Sequence, residues 1–237
     1  MSNEGLDTVF VDVGGTLLPN ELPSTAAILE TRALALSAAL GTEHDIASSM
    51  IETIDDALVA GPPGAADGVI AAVLAAHDFD NGASAVRKAR DALCVPLSGN
   101  LSPFDYAGEL LFAIKRQGLA CVIVSNTTFR DAEMYRLDFD TFGWGGSIDG
   151  CITSVDAGCC KPDPRIFRLA LEMAGTVPQR CVMIGNSEEA DIVPARRLGM
   201  RAIRVAIEEP APAVTQAGAC VTSLDQVPDV LRAWQRA

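Results

Sequence analysis

Residues 8–17 read TVFVDVGGTL, an apolar run that contains one acidic residue, Asp12, and two adjacent glycines shortly after it. A short apolar run that is rich in valine and closed by glycine predicts a buried β-strand ending in a tight turn. A carboxylate at the end of such a strand is either a turn former or a reactive group. Residues elsewhere in the sequence distinguish between these two interpretations.

From Pro103 onward, helical and strand-like segments alternate. Apolar runs at 119–125, 181–185 and 202–207 predict strands, and the segments 103–118, 164–175 and 188–199 predict helices. This alternation is typical of right-handed βαβ units built around a parallel sheet. We therefore predict an α/β fold whose core, residues 1–19 and 95–237, is a parallel sheet with helices on both faces.

Residues 20–94 have a different pattern, because helical periodicity replaces the strand-like runs. In the first of four predicted helices, the expected buried stripe is Leu29, Ala33, Leu36 and Leu40. We predict that 20–94 is an all-helical domain inserted after the first strand, and that 95–103 is the linker back to the core. The insertion follows the carboxyl end of that strand, where open α/β sheets bind ligands.

Charge and composition narrow the set of partners. The formal net charge is −13, from 18 Lys and Arg against 31 Asp and Glu, and such a field repels nucleic acid and anionic membranes. The opening residues lack a basic region, and no apolar run approaches the roughly 20 residues of a membrane helix. We expect a cytoplasmic protein with no nucleic-acid or membrane partner, and the sequence gives no indication of its oligomeric state.

Polar side chains follow the predicted strands at several points. They are Asp12, Ser125 after ACVIV, Lys161 in CCKPDPRIF, and Asn186 with Asp191 in VMIGNSEEADI. Because the carboxyl ends of parallel strands lie along one edge of a sheet, we expect these groups to converge in one crevice. Each has an ordinary interpretation as a turn, cap or solvated residue, but their joint occurrence favours a site for an anion.

Residue type suggests a role for each group. The Asp12 carboxylate can attack phosphorus, and Lys161 can neutralise a phosphate and orient Asp12. Ser125 and the amide of Asn126 can hydrogen-bond phosphoryl oxygens.

The two glycines, Gly14 and Gly15, allow a tight turn beside Asp12 and bring backbone amides and a carbonyl close to a ligand. Asn186, Asp191, Asp12 and the Gly14 carbonyl together offer the oxygen ligands that Mg²⁺ prefers. The sequence therefore predicts a Mg²⁺ site next to the nucleophile.

The sequence resembles the haloacid dehalogenase-like hydrolase superfamily from Thr8 to about Leu231. DVGGTL resembles its first motif, SNT at 125–127 the second, KPDPRIF the third and GNSEEADIVPARRLGM the fourth. The helical insertion resembles the C1-type cap of this family, which closes over the substrate. The resemblance implies a Rossmann-like core, an aspartyl-enzyme intermediate on Asp12, Mg²⁺ as cofactor and phosphatase activity on a small phosphorylated metabolite.

Two positions depart from the family pattern. Family phosphatases usually carry a second Asp two residues after the nucleophile, which protonates the leaving group and activates water, and Gly14 stands there. Since general acid–base catalysis contributes about 10²–10⁴-fold, slow turnover is expected unless the substrate has a good leaving group or a cap residue replaces the missing acid. The fourth motif usually begins Gly-Asp, and Asn186 replaces that Asp. A neutral amide ligand should weaken Mg²⁺ binding.

Two other functions stay open. The first is carbon–halogen hydrolysis, in which a carboxylate displaces halide without a leaving-group acid or a metal. The family's dehalogenases usually have an aromatic residue at the Gly14 position and an arginine-bearing cap segment, which the sequence does not reveal. The second is a non-catalytic descendant that binds a phosphate ligand or a protein partner. Phosphatase activity is favoured because Asp12, Ser125 and Lys161 are all present.

Overall fold

A computed structural model of the protein describes residues 5–20, 25–61, 64–207, 212 and 214–236. Its strands are β1 Thr8–Val11, β2 Ala120–Ser125, β3 Gly150–Thr153, β4 Cys181–Gly185, β5 Arg201–Val205 and β6 Ala219–Val221. They form one sheet in the order β3-β2-β1-β4-β5-β6, and every neighbouring pair is parallel. The prediction of an α/β fold with a parallel sheet is confirmed.

Four helices follow β1 as a group, and the other helices lie among the later strands or after them. The first four are α1 Ala26–Leu40, α2 His44–Ala60, α3 Ala66–Ala76 and α4 Ala83–Leu93. The others are α5 Ala107–Arg116, α6 Ala132–Thr141, α7 Ser154–Ala157, α8 Pro164–Ala174, α9 Val193–Arg197 and α10 Val227–Gln235. In the part of the chain that the structure describes, no helix has the length and apolar character needed to cross a membrane.

The central strand β1 is buried on both faces of the sheet. Val9 and Val11 pack in a cluster with residues of α5, α6 and α10, whereas Phe10 packs on the other face with residues of α8 and α9. Successive side chains of a strand point to opposite faces, so a strand covered on both sides needs an unbroken apolar run. This is why residues 9–11 are continuously apolar, and it confirms helices on both faces of the sheet.

Helices α1 to α4 have an apolar cluster of their own, which includes Leu36, Met50, Ile54 and Leu74. The helical insertion is therefore confirmed as part of the fold, while its boundaries at residues 20 and 94 stay predictions. The predicted stripe of α1 is wrong at Leu29, which is 42% exposed. Leu29 faces the cavity between α1 and the sheet edge rather than the other helices.

The predicted linker 95–103 is tied to the core near its start. The backbone N–H of Leu97 donates to Asp138 Oδ1 at 2.8 Å, and Arg130 donates to the Val95 carbonyl at 2.5 Å. Asp138 also accepts from Arg130 Nε at 2.7 Å, which joins the two anchoring residues. Hydrogen bonds therefore hold the first residues of this segment against the core.

Helices α6 and α7, strands β3 and β6 and the form of one further helix were not predicted. Strands β3 and β6 have four and three residues and lie at the two edges of the sheet, and strands this short leave no long apolar run in the sequence. The single helix predicted over 188–199 is a π-helical turn, Glu188–Ile192, followed by α9. π-Helical turns are frequent at functional sites because they re-aim a side chain. Here the turn carries Asp191.

Candidate active site

Asp12 lies directly after β1, in the middle of the carboxyl edge of the sheet, and is 5% exposed. Lys161 Nζ donates to Asp12 Oδ1 at 2.7 Å, and Thr16 Oγ1 donates to Asp12 Oδ2 at 2.9 Å. Both carboxylate oxygens are thus held in one orientation. Thr16 was not predicted as a site residue, although it lies only four residues after Asp12 in the turn that the sequence analysis singled out.

The side chain of Lys161 joins three groups at the sheet edge. Its Nζ donates to Asp12, to Asp191 Oδ1 at 2.6 Å and to the Val124 carbonyl at 2.8 Å, and the side chain is 2% exposed. Burial alone lowers the pKa of Lys161, but the carboxylates of Asp12 and Asp191 outweigh burial, and the pKa lies above its ordinary value. Lys161 is therefore a permanent cation between two carboxylates.

The loop that carries Lys161 is fixed on both sides. Asn126 Nδ2 donates to the Lys161 carbonyl at 2.9 Å, and the Lys161 N–H donates to Asn126 Oδ1 at 2.8 Å. Two residues further on, Asp163 accepts from the Arg165 N–H at 2.9 Å and caps α8, which begins at Pro164. The side-chain amide of Asn126 is thus committed to Lys161, and its predicted contact with phosphoryl oxygens stays a prediction.

Asp191 reaches the site from the π-helical turn after β4. Its Oδ2 accepts from the Ser187 N–H at 3.0 Å, and its carboxylate occupies the space that a Cβ at Gly185 would need. Burial raises the pKa of Asp191 to about 6, with Lys161 acting against the rise and Asp12 adding to it. Glycine at 185 therefore lets β4 end close enough for Asp191 to bond Lys161.

Gly14 and Gly15 are constrained to different degrees. Gly15 has φ of 71°, and a Cβ there would overlap the side chain of Asn186, so only glycine fits. Gly14 lies outside the left-handed region, and a Cβ there would come within 2.9 Å of Asn20 Oδ1, the movable end of an exposed side chain. A Cβ at position 14 therefore needs only Asn20 to rotate.

Ser125 at the end of β2 is buried and does not line the cavity described below. Its Oγ lies 3.2 Å from the Tyr135 hydroxyl. Burial raises the pKa of Tyr135 to about 12, although the hydrogen bond to Ser125 acts against this rise. Tyr135 therefore keeps its proton at neutral pH, and the predicted contact of Ser125 with phosphoryl oxygens stays a prediction.

A cavity of about 580 Å³ lies above this edge of the sheet. Six of the predicted site residues line it, namely Asp12, Gly14, Asn126, Lys161, Asn186 and Asp191. On the opposite side it is closed by Ile28, Leu29 and Leu93 of helices α1 and α4, and by the ion pair between Arg32 of α1 and Asp55 of α2. The volume suits a small molecule, and the two walls differ in chemistry, one polar and one largely apolar.

The donors at the polar wall fit Mg²⁺ without forming a strong site. The described residues contain no group of three His, Cys, Asp or Glu that could hold a metal. Asp12 and Asp191 nevertheless converge on the same Lys161 nitrogen, and Asn186 and the Gly14 backbone line the same cavity. Since Mg²⁺ is commonly held by one or two carboxylates, with water and phosphate oxygens completing its shell, this oxygen set is sufficient.

Residues 6–199 match the model of the haloacid dehalogenase-like hydrolases. This match covers most of the chain and includes Asp12, Lys161 and Asp191. The protein therefore belongs to the haloacid dehalogenase-like hydrolases, as the sequence motifs predicted.

Three comparisons describe its relatives. A glyceraldehyde 3-phosphate phosphatase of Methanothermobacter thermautotrophicus is 36% identical over 107 residues, which are 44% of this chain and 45% of that protein. An HAD phosphatase of Thermococcus onnurineus superposes with a TM-score of 0.64 at 22% identity, covering 95% of this chain and 98% of that one. A 2-haloacid dehalogenase of Pseudomonas syringae does so with a TM-score of 0.66 at 22% identity, covering 97% and 99%. The chain spans less than half the length of the curated relatives that it matches. The two structural likenesses concern the fold alone.

Proposed function

We propose that this protein is a Mg²⁺-dependent phosphatase that hydrolyses a small phosphorylated metabolite through a phosphoryl intermediate on Asp12. The observation that carries this proposal is the arrangement of Asp12 and Asp191 around the single Lys161 nitrogen at the polar wall of the cavity. The similarity to a protein named as a glyceraldehyde 3-phosphate phosphatase supports the reaction class.

In the first step, an Asp12 oxygen attacks phosphorus, an Asp12 O–P bond forms, and the bond from phosphorus to the leaving oxygen breaks. Thr16 and Lys161 hold the carboxylate in one orientation for this attack. Asp12, Asp191, Asn186 and the Gly14 carbonyl would hold Mg²⁺, which when bound supplies positive charge next to the phosphoryl oxygens. Residues of helices α1 and α4 line the opposite side of the cavity and would limit the access of bulk water to a bound substrate.

The leaving alkoxide takes its proton from water, because Gly14 supplies no acid where one is usual in the family. Water then attacks phosphorus, phosphate departs and the Asp12 carboxylate is regenerated. Without a positioned acid and base, both steps depend on the intrinsic reactivity of the substrate. We therefore propose that acyl and aryl phosphates are hydrolysed faster than simple alkyl phosphates.

Gly14→Asp should raise the turnover of alkyl phosphates by about 10²-fold and that of aryl phosphates much less, because it restores a general acid at the leaving group. The backbone at position 14 accepts a side chain once Asn20 rotates. Steady-state rates on a series of phosphate esters of graded leaving-group pKa measure the effect.

The matched control for this variant is Gly14→Asn, which has the same shape but donates no acidic proton. It should leave the dependence on leaving-group pKa as steep as in the wild type. A wild-type rate that is independent of leaving-group pKa, or an equal gain from Asn and Asp, would contradict the assignment of Gly14 as the missing acid.

Asn186→Asp should tighten Mg²⁺ binding at least about tenfold, because a carboxylate at close range attracts the ion more strongly than an amide dipole. Isothermal titration of Mg²⁺ into both forms measures this change. Asn100→Asp adds the same charge outside the cavity and serves as the control for net charge. Equal affinities of the Asn186→Asp variant and the wild type would remove residue 186 from the proposed ligand set.

Dehalogenase activity is the second candidate, and Arg32 is the observation in its favour, since it brings a cap arginine to the cavity. Two N–H groups of Arg32, however, already donate to Asp55 at 2.8 Å, so that carboxylate neutralises the positive charge that would stabilise a departing halide. Incubation with 2-chloropropanoate distinguishes the two reactions. Release of chloride without any phosphatase activity would replace the proposed function by carbon–halogen hydrolysis.

A further inference from the structure

The charged groups that line the cavity are balanced. The described lining residues include three cations, Arg32, Arg130 and Lys161, and three carboxylates, Asp12, Asp55 and Asp191. Lys161 donates to two of these carboxylates, and Arg32 forms a two-bond ion pair with a third. The lining therefore has no excess of positive charge, even though the chain is proposed to bind a phosphorylated substrate.

The third cation, Arg130, is also paired with a carboxylate. Its Nε donates to Asp138 at 2.7 Å, and the two side chains are 11% and 7% exposed. A terminal nitrogen of Arg130 donates to the Val95 carbonyl. Among the residues that the structure describes around the cavity, each cation thus already has an anionic partner, and a second anionic group on a substrate would meet no uncommitted positive charge.

The Arg32–Asp55 pair has the geometry of a recognition element on the otherwise apolar wall. Arg32 is 11% exposed at its side chain, lies over the Phe129 ring at 5.5 Å and directs its guanidinium edge at Asp55. The Asp55 side chain is 39% exposed, so its remaining lone pairs are accessible. An ion pair in such a position adds little to stability, which leaves ligand contact as a reason for charge on this wall.

We propose that Arg32 and Asp55 are specificity-determining residues, which restrict the substrate to a monophosphate whose other end is uncharged and carries a hydroxyl group. A hydroxyl can donate to Asp55 and accept from Arg32, and Ile28 and Leu29 can pack against the carbon chain. A carboxylate at the same end would be desolvated next to Asp55 without a compensating cation. This inference rests on the proposed phosphatase function and deepens it.

The test compares two substrates that differ at one end, glycerol 3-phosphate with a hydroxymethyl group and 3-phosphoglycerate with a carboxylate. We expect the wild type to favour glycerol 3-phosphate at least tenfold in kcat/KM. Asp55→Asn keeps the shape of the side chain but leaves Arg32 as an unmatched cation in the cavity wall. This variant should shift the ratio at least tenfold toward 3-phosphoglycerate, mainly through KM, whereas Arg32→Gln should shift it in the opposite direction.

The matched control is Asp67→Asn, which removes the carboxylate of another Arg–Asp pair of the helical insertion, the pair with Arg90, outside the cavity. It should leave the substrate ratio unchanged. p-Nitrophenyl phosphate has neither a hydroxyl nor a carboxylate that could contact Arg32 and Asp55. Its hydrolysis therefore tests the proposed phosphatase function separately from the specificity assignment. If the wild type hydrolyses it but favours 3-phosphoglycerate, or if Asp55→Asn leaves the ratio unchanged, the specificity assignment is wrong. If the wild type hydrolyses none of the three esters, the proposed function is wrong and the specificity assignment falls with it.

Discussion

Asp12→Asn is expected to lower the hydrolysis of every phosphate ester by at least about 10³-fold, because an amide is a far weaker nucleophile than a carboxylate. Asn keeps the size of the side chain, and Thr16 can still donate to its oxygen. Lys161 keeps its bond to Asp191. Phosphate release under single-turnover conditions measures the loss, and a thermal melt verifies that the variant is folded.

The control for this variant is Asp131→Asn, which neutralises another buried aspartate. Asp131 caps α6 by accepting from the Met134 N–H and does not line the cavity, and Asn is an equally good cap. Its activity should stay within twofold of the wild type. Wild-type rates in the Asp12→Asn variant would refute the assignment of Asp12 as the nucleophile. A wild-type protein that binds phosphate without hydrolysing any ester would favour the non-catalytic interpretation.

Lys161→Met should lower the free energy of unfolding by about 3–5 kcal/mol at pH 8, because removing one partner of a buried ion pair leaves uncompensated charge. Two carboxylates lose their cation in this variant, namely Asp12 and Asp191, both of which are buried. Urea denaturation of both forms at pH 8 and pH 5.5 measures the difference. Lys115→Met, which breaks the more exposed pair with Asp149, should cost no more than about 1 kcal/mol.

The sign of the pH dependence follows from Asp191. Its pKa is raised from 3.8 to about 6 mainly by burial, so the folded state binds this proton more tightly than the unfolded state. The contribution of Asp191 to the free energy of unfolding is therefore greatest below pH 3.8 and is lost as the pH rises through about 6. Without Lys161 the pKa of Asp191 rises further, and protonation of Asp191 relieves its repulsion with the carboxylate of Asp12. The destabilisation in Lys161→Met should be smaller at pH 5.5 than at pH 8, and an equal or larger loss at pH 5.5 would contradict this account.

The sheet and most of the polar wall were predictable from the sequence because local rules determine them. A strand covered on both faces is nearly continuous in apolar residues, as residues 9–11 are, and parallel strands bring their carboxyl ends to one edge. These two rules were enough to predict that Asp12 and Asp191 approach one another, whereas Lys161 lies eight residues beyond the unpredicted strand β3 and is identified by its resemblance to the third motif. The strand-end rule also selected Ser125, but it gives no information on direction, and the Ser125 hydroxyl points to Tyr135.

The apolar wall was not predictable, because it depends on how the inserted helices pack. Arg32 and Asp55 are 23 residues apart on different helices, and neither stands in a motif. Leu29 was assigned to the helical core because its spacing fits a stripe, yet it lies against the cavity. Periodicity identifies which residues avoid water in a helix but does not distinguish a neighbouring helix from a ligand cavity.

The anchoring of the 95–103 segment also determines where the four inserted helices can pivot. Helix α4 ends at Leu93, and the Val95 carbonyl is already bound by Arg130, so only Cys94 separates the helix from the first fixed group on this return crossing. A rigid-body opening of the cavity must therefore be absorbed at this crossing by the dihedral angles around Cys94 rather than distributed over nine linker residues. Because Leu93, Cys94 and Val95 all line the cavity, such an opening would rotate the chain at the cavity wall itself.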